Sequence, residues 1–449
     1  MLPVRSVPSR NEEPLPCTSA GDLDAWGVGF SACIRMRGGR IPPVRDAMTY
    51  MPAATIHRDP ELPSVFMGFP RMAGRAGIRN LVVILPVVAG AHVVAQRIAA
   101  RVPGTLAVPY LDDGVSGRED EVMTDRVLIG AAAGPNVAAV LLVNLADDGR
   151  DRRIAHEALR RNPGRPVETI SIEACGGSLK AIAAGTAHAQ ALLAAVAGAT
   201  RHEFPVSELI MAAECGGSDA TSGMASNPTV GVAADILIDF GGTVCFSETT
   251  EMMGAEHILA RRACNDLVAR RIIEIVANVE KAANAVGATV AGGNPTPGNM
   301  AGGLSTIEEK SLGCILKGGS RPVQGVLDFA EPITGRGLWL MDTPGHDAVS
   351  VSAKAAGGSH LNVFTTGRGS PLGNAIQPVM KVCANAATVA QMRDNFDFTA
   401  EAIVAGHATK EQLGRDLYRL VIETCSGRLV AAEVIGHHEF AIHHIGILE

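Results

Sequence analysis

From residue 80 the chain alternates short apolar runs with Ala-rich stretches of helical length. Continuously apolar, β-rich runs occur at Leu81–Leu85, Thr105–Val108, Val137–Val143, Val167–Ile172 and Leu209–Ala212. Helical patterns over 91–102, 119–132, 151–162 and 178–197 separate them. Strands that are apolar on both faces and divided by helices predict a parallel sheet covered on both sides. This gives a doubly wound α/β domain over 71–205. The second half, 206–449, is richer in Gly and predicts a second α/β domain. Its strands are expected at Thr243–Phe246, Gly325–Phe329, Gly337–Leu340 and Asn362–Thr365, with a long helix over 254–284 and another over 409–425. Residues 1–70 are Pro-rich and weakly periodic, and read as an irregular arm.

Composition narrows this picture. The 449 residues include 47% hydrophobic and only 4% aromatic side chains, so the core is aliphatic. A net charge of −7, from 39 basic and 46 acidic residues, speaks against a nucleic-acid-binding surface. Nine cysteines, an odd number with no CxxC pair, encode neither a disulfide framework nor a zinc ribbon. The N-terminus lacks a signal-peptide core. Two uncharged stretches, Val127–Ala146 and Ala181–Thr200, read as buried α/β elements rather than membrane spans. The expectation is a cytoplasmic chain, and by base rate a homo-oligomer. Fifty glycines exceed the usual share of roughly 7%.

Those glycines concentrate in loops with polar neighbours. Glu214-Cys215-Gly216-Gly217-Ser218-Asp219 follows a strand and leads to a helix, where open α/β sheets bind ligands. Cys215 is a metal ligand, a nucleophile or a small buried residue. Ser247-Glu248-Thr249-Thr250-Glu251 and Gly254-Ala255-Glu256-His257 place carboxylates and an imidazole near another strand end, a metal or acid–base set. Thr249 or Thr250 could instead cap the next helix, with Glu251 in its first turn. Asn294, Asn299, Lys310 and Lys317 lie in or beside Gly-rich turns able to hold an anion. Thr365-Thr366-Gly367-Arg368 reads as an anion-binding turn whose Arg offers a bidentate fork. Gly74-Arg75-Ala76-Gly77-Ile78-Arg79-Asn80 is a basic Gly-rich loop ahead of the first strand. Neither a GxGxxG opening a helix nor a GxxxxGK[ST] occurs. The pairs His437-His438 and His443-His444 read as surface or interface histidines, since adjacent strand residues face opposite ways.

Taken together, these motifs resemble the catalytic large domain of the altronate/galactarate dehydratase family, and keep its order across 71–449. Asn227-Pro228, Asn294-Pro295, Glu309-Lys310-Ser311-Leu312-Gly313, Lys317-Gly318-Gly319 and Asp342-Thr343-Pro344-Gly345 also match. The chain is also similar to the large subunit of sulfolactate sulfo-lyase. The resemblance implies a lyase that dehydrates a 2,3-dihydroxy sugar acid such as altronate or galactarate to a 2-keto-3-deoxy acid. Release of sulfite from sulfolactate and a catalytically silent partner subunit are the alternatives. It implies a divalent metal, iron first. Relatives often carry cysteines where this chain has Ala89-Gly90-Ala91-His92 and Ala146-Asp147-Asp148. Magnesium or manganese are therefore alternatives, with His92, Asp147, Asp148 or Cys175 as substitute ligands. The metal set is Cys215, Glu248 and Glu251. Lys310, His257 and Lys317 are the catalytic candidates, with Lys310 or His257 as base. Arg368 and Lys381 are expected to hold a carboxylate. Arg75, Arg79, Asn80, Ser218, Asp219, Asn294, Asn299, Thr365 and Thr366 complete the substrate site. The expected partners are a small hydroxy acid and a separate small subunit, with neither nucleic acid nor membrane.

Overall fold

The computed structural model describes residues 58–111 and 117–445. Most of the proposed arm, with Cys17 and Cys33, lies outside these residues. Strand β1 (Val65–Gly68) stands where the arm was expected to be irregular. Strands β2 (Leu81–Pro86), β3 (Thr105–Ala107), β4 (Val137–Asn144) and β5 (Val167–Ser171) form a four-stranded sheet in the order β3-β2-β4-β5. All its pairings are parallel. Strand β6 (His202–Pro205) returns to pair antiparallel with β1.

The second sheet has seven strands: β7 (Ile210–Cys215), β8 (Thr243–Phe246), β9 (Val323–Leu327), β10 (Gly337–Met341), β11 (Leu361–Thr366), β12 (Val379–Cys383) and β13 (Phe398–Thr399). Their order is β13-β12-β11-β7-β8-β10-β9, again all parallel. Strands β7, β8, β11 and β12 are buried throughout, and apolar residues dominate them even though Glu214, Asn362 and Lys381 place polar side chains in three of the four. The chain steps from β7 to β8 on one side, then crosses back from β10 to β11 on the other. The order reverses between β7 and β11, and such a switch point opens a crevice at the carboxyl ends of the strands.

Two expectations change. The helix expected over 254–284 is two helices, Glu256–Arg261 and Asp266–Ala285. Asn265 starts the second, its side chain accepting from the Val268 N–H, so a local cap divides an otherwise periodic stretch. Within the stretch 181–200, the helix Ser178–Val196 is buried only on the side packed against the helix His92–Ala99 and strands β4 and β5, at Ala181, Ile182, Gly185, Ala189 and Leu192. Its other face exposes Leu179, Ala183, Ala187 and Ala194. By length and composition it is the one described helix that could cross a membrane. A continuous apolar core joins β2 and β4 of the first sheet to Met341 and the helix Asp347–Ala356 beside the second.

Candidate active site at the switch point

Cys215 ends β7, and Glu248 follows β8 by two residues. Glu248 has a backbone φ of 76°, a left-handed conformation unusual for a residue with a side chain. Its N–H donates to Thr343 Oγ1 at 3.1 Å, and its buried carboxylate turns under β7 to accept the Cys215 N–H at 3.1 Å. Such strain persists where surrounding contacts over-determine it, commonly at functional sites. Three residues on, Glu251 Oε2 lies 3.3 Å from Cys215 Sγ. The helix Ile307–Cys314 starts at Thr306, whose Oγ1 accepts from the Glu309 N–H at 3.2 Å. It presents Lys310 and Cys314, and the next turn presents Lys317, at i, i+4 and i+7 along one face.

That face closes the site. Cys215, Glu248, Glu251 and Cys314 are all buried and bring one ligand atom each within 4.8 Å of one another. Cys215 Sγ is 3.5 Å from Cys314 Sγ and 3.7 Å from Glu248 Oε1. Tetrahedral coordination with bonds of 2.0–2.3 Å places ligand atoms about 3.3–3.8 Å apart, so the donors fit a divalent metal. Lys317 Nζ stands among the same atoms, 2.8 Å from Cys314 Sγ, 3.2 Å from Cys215 Sγ and paired with Glu248. Contact with Cys314, and then burial, push the Cys215 thiol well above its usual range. Burial does the same to the Glu248 carboxyl. Burial opposes the Lys317 charge, but the surrounding sulfurs and carboxylates outweigh it and raise its pKa.

Lys310 forms an outer layer. Its Nζ pairs with Glu251 at 2.6 Å and donates to Asn294 Oδ1 at 2.8 Å and Asn299 Oδ1 at 3.4 Å. Asn294 also donates to the Thr250 carbonyl, and Asn299 to the Ser218 carbonyl. Arg368 lies exposed on the rim, its guanidinium in the space a side chain at Gly298 would occupy. The Asp347 carboxylate fills the space beside Gly216, where a Cβ would stand 2.2 Å from Oδ2. Burial pushes Asp347 up to about 7. Lys381 is fully buried on β12, 3.7 Å above the Phe364 ring, and its Nζ has no hydrogen-bond partner among the described residues. Burial pulls its pKa down to about 7, with Asp347 the foremost opposing charge.

Several expectations need correction. His257 is exposed on the helix Glu256–Arg261 and is not among the buried groups. Glu251 does not serve as a helix-capping charge; it faces Cys215 and Lys310. Arg79 is committed to Glu433, with both contacts at 2.7 Å, and to three carbonyls. Arg75 donates to the Ser207 and Glu208 carbonyls, and Asn80 to the Val196 carbonyl. These three tie the segment before β2 to its surroundings. Asp219 is buried and accepts from Thr221, Ser222 and Asn385, and the Thr365 hydroxyl donates to Asn227 Oδ1 at 2.6 Å. Thr366 Oγ1 accepts from the N–H groups of Gly369 and Ser370. These side chains shape the loops around the site. His92, Asp147, Asp148 and Cys175 are not part of the four-residue group, nor are His437, His438, His443 and His444.

Sequence reasoning missed Cys314 and the buried pair Lys354–Glu214, which Ser247 and Ser350 bridge under the site. The signals were present. Cys314 shares the helical spacing of Lys310 and Lys317, and Lys354 is the one charge among the small and apolar residues of Val349–Ala356.

The fold and site define a parallel α/β protein whose buried thiol–carboxylate–lysine centre occupies a topological switch point. The chain belongs to the D-galactarate/altronate dehydratase family. The family's C-terminal domain matches residues 206–448, and the second domain of D-galactarate dehydratase/altronate hydrolase matches 68–197. The chain is 38% identical over 382 residues to a (2R)-sulfolactate sulfo-lyase subunit beta of Chromohalobacter salexigens, covering 84% of this chain and 96% of the relative. It is 34% identical over 392 residues to an altronate dehydratase of Bacillus subtilis, covering 85% and 78%. A galactarate dehydratase (L-threo-forming) of Escherichia coli is 40% identical over 228 residues, covering 51% and 43%.

Proposed function

We propose that the protein is a lyase that eliminates a leaving group from C3 of a 2-hydroxy acid, a sugar-acid dehydratase in its leading form. The observation that carries this reading is the buried group Cys215, Glu248, Glu251 and Cys314, layered with Lys317 and Lys310. Removing the weakly acidic C2 proton builds negative charge on the carboxylate, so a water-poor site rich in positive charge favours the reaction. Cys215, Glu248, Glu251 and Cys314 would hold the divalent metal. Two thiols among the donors favour iron over magnesium or manganese. When bound, the metal supplies Lewis-acid stabilisation of the developing enediolate.

The chain's own residues divide the remaining work. Arg368 on the rim takes the substrate carboxylate in a bidentate fork. Lys310 already donates to three acceptors, so it acts as an ammonium, suited to protonating the departing hydroxyl rather than serving as base. Lys381, expected from sequence to hold a carboxylate, has an amine without an acceptor and takes the C2 proton. The enol product then tautomerises to the 2-keto-3-deoxy acid.

The test is metal analysis of the purified protein, followed by a panel of sugar acids and sulfolactate scored for keto acid and for sulfite. A stoichiometric ion with keto-acid formation from a sugar acid supports the dehydratase. Sulfite release supports the second reading, which the 38% identical sulfo-lyase subunit favours. No metal and no turnover would leave the silent-subunit alternative. Because that relative is named as a subunit, a small partner chain is expected to co-purify, beside a homo-oligomer of this chain.

A further inference from the structure

We propose a second ligand site, remote from the switch point, built for a small hydroxylated carboxylate carrying one negative charge. A cavity of 280 Å³ opens beside the first sheet, lined by Arg71, Asn80, Asn162 and Arg165, with the end of the helix Ser178–Val196 forming one wall. It shares no lining residue with the Cys215 centre, and no Asp or Glu lines it.

The charge balance is the main argument. Arg165 is 7% exposed, and neither arginine forms an ion pair among the described residues. Arg165 donates to the Ala132 and Gly134 carbonyls, at the end of the helix Arg118–Ala133. Arg71 donates to Pro135 O at 3.0 Å, Arg79 O at 2.8 Å and Asn80 Oδ1 at 3.0 Å. Two helix carboxyl ends therefore meet here, each carrying roughly half a negative charge. Together they offset about one of the two guanidiniums, leaving about one positive charge uncompensated in a buried place. Burial pulls Arg71 down to about 10, and burial with the neighbouring Arg71 charge pulls Arg165 down to about 9, so both stay charged at neutral pH.

A monoanion restores the balance, and a planar carboxylate matches the guanidinium fork. The wall at Ala195–Ala199 is a helix end; Val196 O is taken by Asn80 Nδ2 and the Ala199 N–H, and the other carbonyls of this last turn, which lack intrahelical donors, would accept from ligand hydroxyls. This second requirement favours a hydroxy acid over a bare halide. If the arginines only staple loops, no ligand is needed.

Isothermal titration of the full-length protein with glycerate separates the two. The Cys215→Ala background weakens the switch-point site, and comparing cavity variants within it isolates the contribution of the cavity. There, glycerate is expected to bind, and Arg165→Met to weaken binding about tenfold or more, the loss of one charge-assisted contact. Circular dichroism checks that the variant folds. If it does not, Ala195→Glu, which sets a carboxylate in the cavity wall, takes its place and should produce the same loss. Glycerol, with the same hydroxyls and no charge, should give no binding. The proposal is overturned if glycerate does not bind the Cys215→Ala protein, if glycerol binds equally well, or if the folded cavity variant binds glycerate unchanged.

Discussion

Lys317 shows how one side chain can hold a site together before any cofactor arrives. Its fully buried ammonium touches Glu248, Cys215 and Cys314, so it contacts the same donors that a metal would otherwise bind. Lys317→Met should therefore lower the stability of the metal-free protein by about 3–5 kcal/mol, the usual consequence of breaking a buried pair. Added ferrous ion should restore most of that stability, because the ion no longer competes with an ammonium. Thermal melts with and without metal check this; equal loss in both would argue against shared occupancy. Lys381 gives a pH test. Its folded pKa lies near 7, below that of the free side chain, so between about 7 and 10.5 the unfolded chain binds the extra proton. The contribution of Lys381 to stability should rise with pH across that window. Lys381→Met should abolish turnover, yet its stability advantage should grow as pH falls from about 10.5 to 7 and then level off, as read by denaturant midpoints at several pH values.

At the scale of elements, the site is assembled by strand ends and two short capped helices. Thr296 caps the helix Pro297–Ala301 in a capping box with Asn299, and Gly298 sits in its first turn. Only the absent side chain at Gly298 lets the Arg368 guanidinium lie there, 1.9 Å from where a Cβ would stand. Gly298→Ala should push Arg368 outward while leaving the fold intact, since the displaced atoms end a flexible side chain. The expected result is a KM raised about tenfold with kcat little changed, the mark of lost uniform binding. A drop in kcat alone would remove Arg368 from substrate binding. Element type was largely legible in the sequence. Strand β8 and the helices at 178–196 and 410–425 sit close to their predicted limits, because long periodic or fully apolar stretches leave little choice. Strands β1, β6, β12 and β13 were not predicted. The first pair is a short, half-exposed ribbon and β13 has two residues, so neither carries a strong pattern. Strand β12 was hidden by Lys381, a charge in the middle of a buried run.

Across the whole molecule, His360 ties the segment ahead of β2 to the second sheet. Its Nδ1 accepts from the Ile210 N–H at 3.0 Å, and Nε2 lies 2.9 Å from the Ala76 carbonyl. Both contacts are met by the neutral ring, and burial pulls its pKa down to about 3. The unfolded chain takes up a proton near pH 6.5 while the native ring does not, so this group's contribution to stability declines as pH falls from about 6.5 to 3. His360→Leu should be less stable at pH 7 but lose that part of the acid slope, measurable as a shallower fall in melting temperature between pH 6.5 and 4. By itself, the sequence determined the aliphatic parallel α/β architecture and the loops that carry chemistry, because both are written in local pattern: continuous apolar runs, and Gly-rich turns at strand ends. Only the tertiary structure decided which polar residues meet. Cys215, Glu248 and Cys314 come from segments up to 99 residues apart, and Arg79, Asp219 and Thr365 are directed into the scaffold instead. Whether a polar side chain faces a ligand or a carbonyl depends on its partners across the sheet, and spacing along the chain does not encode them.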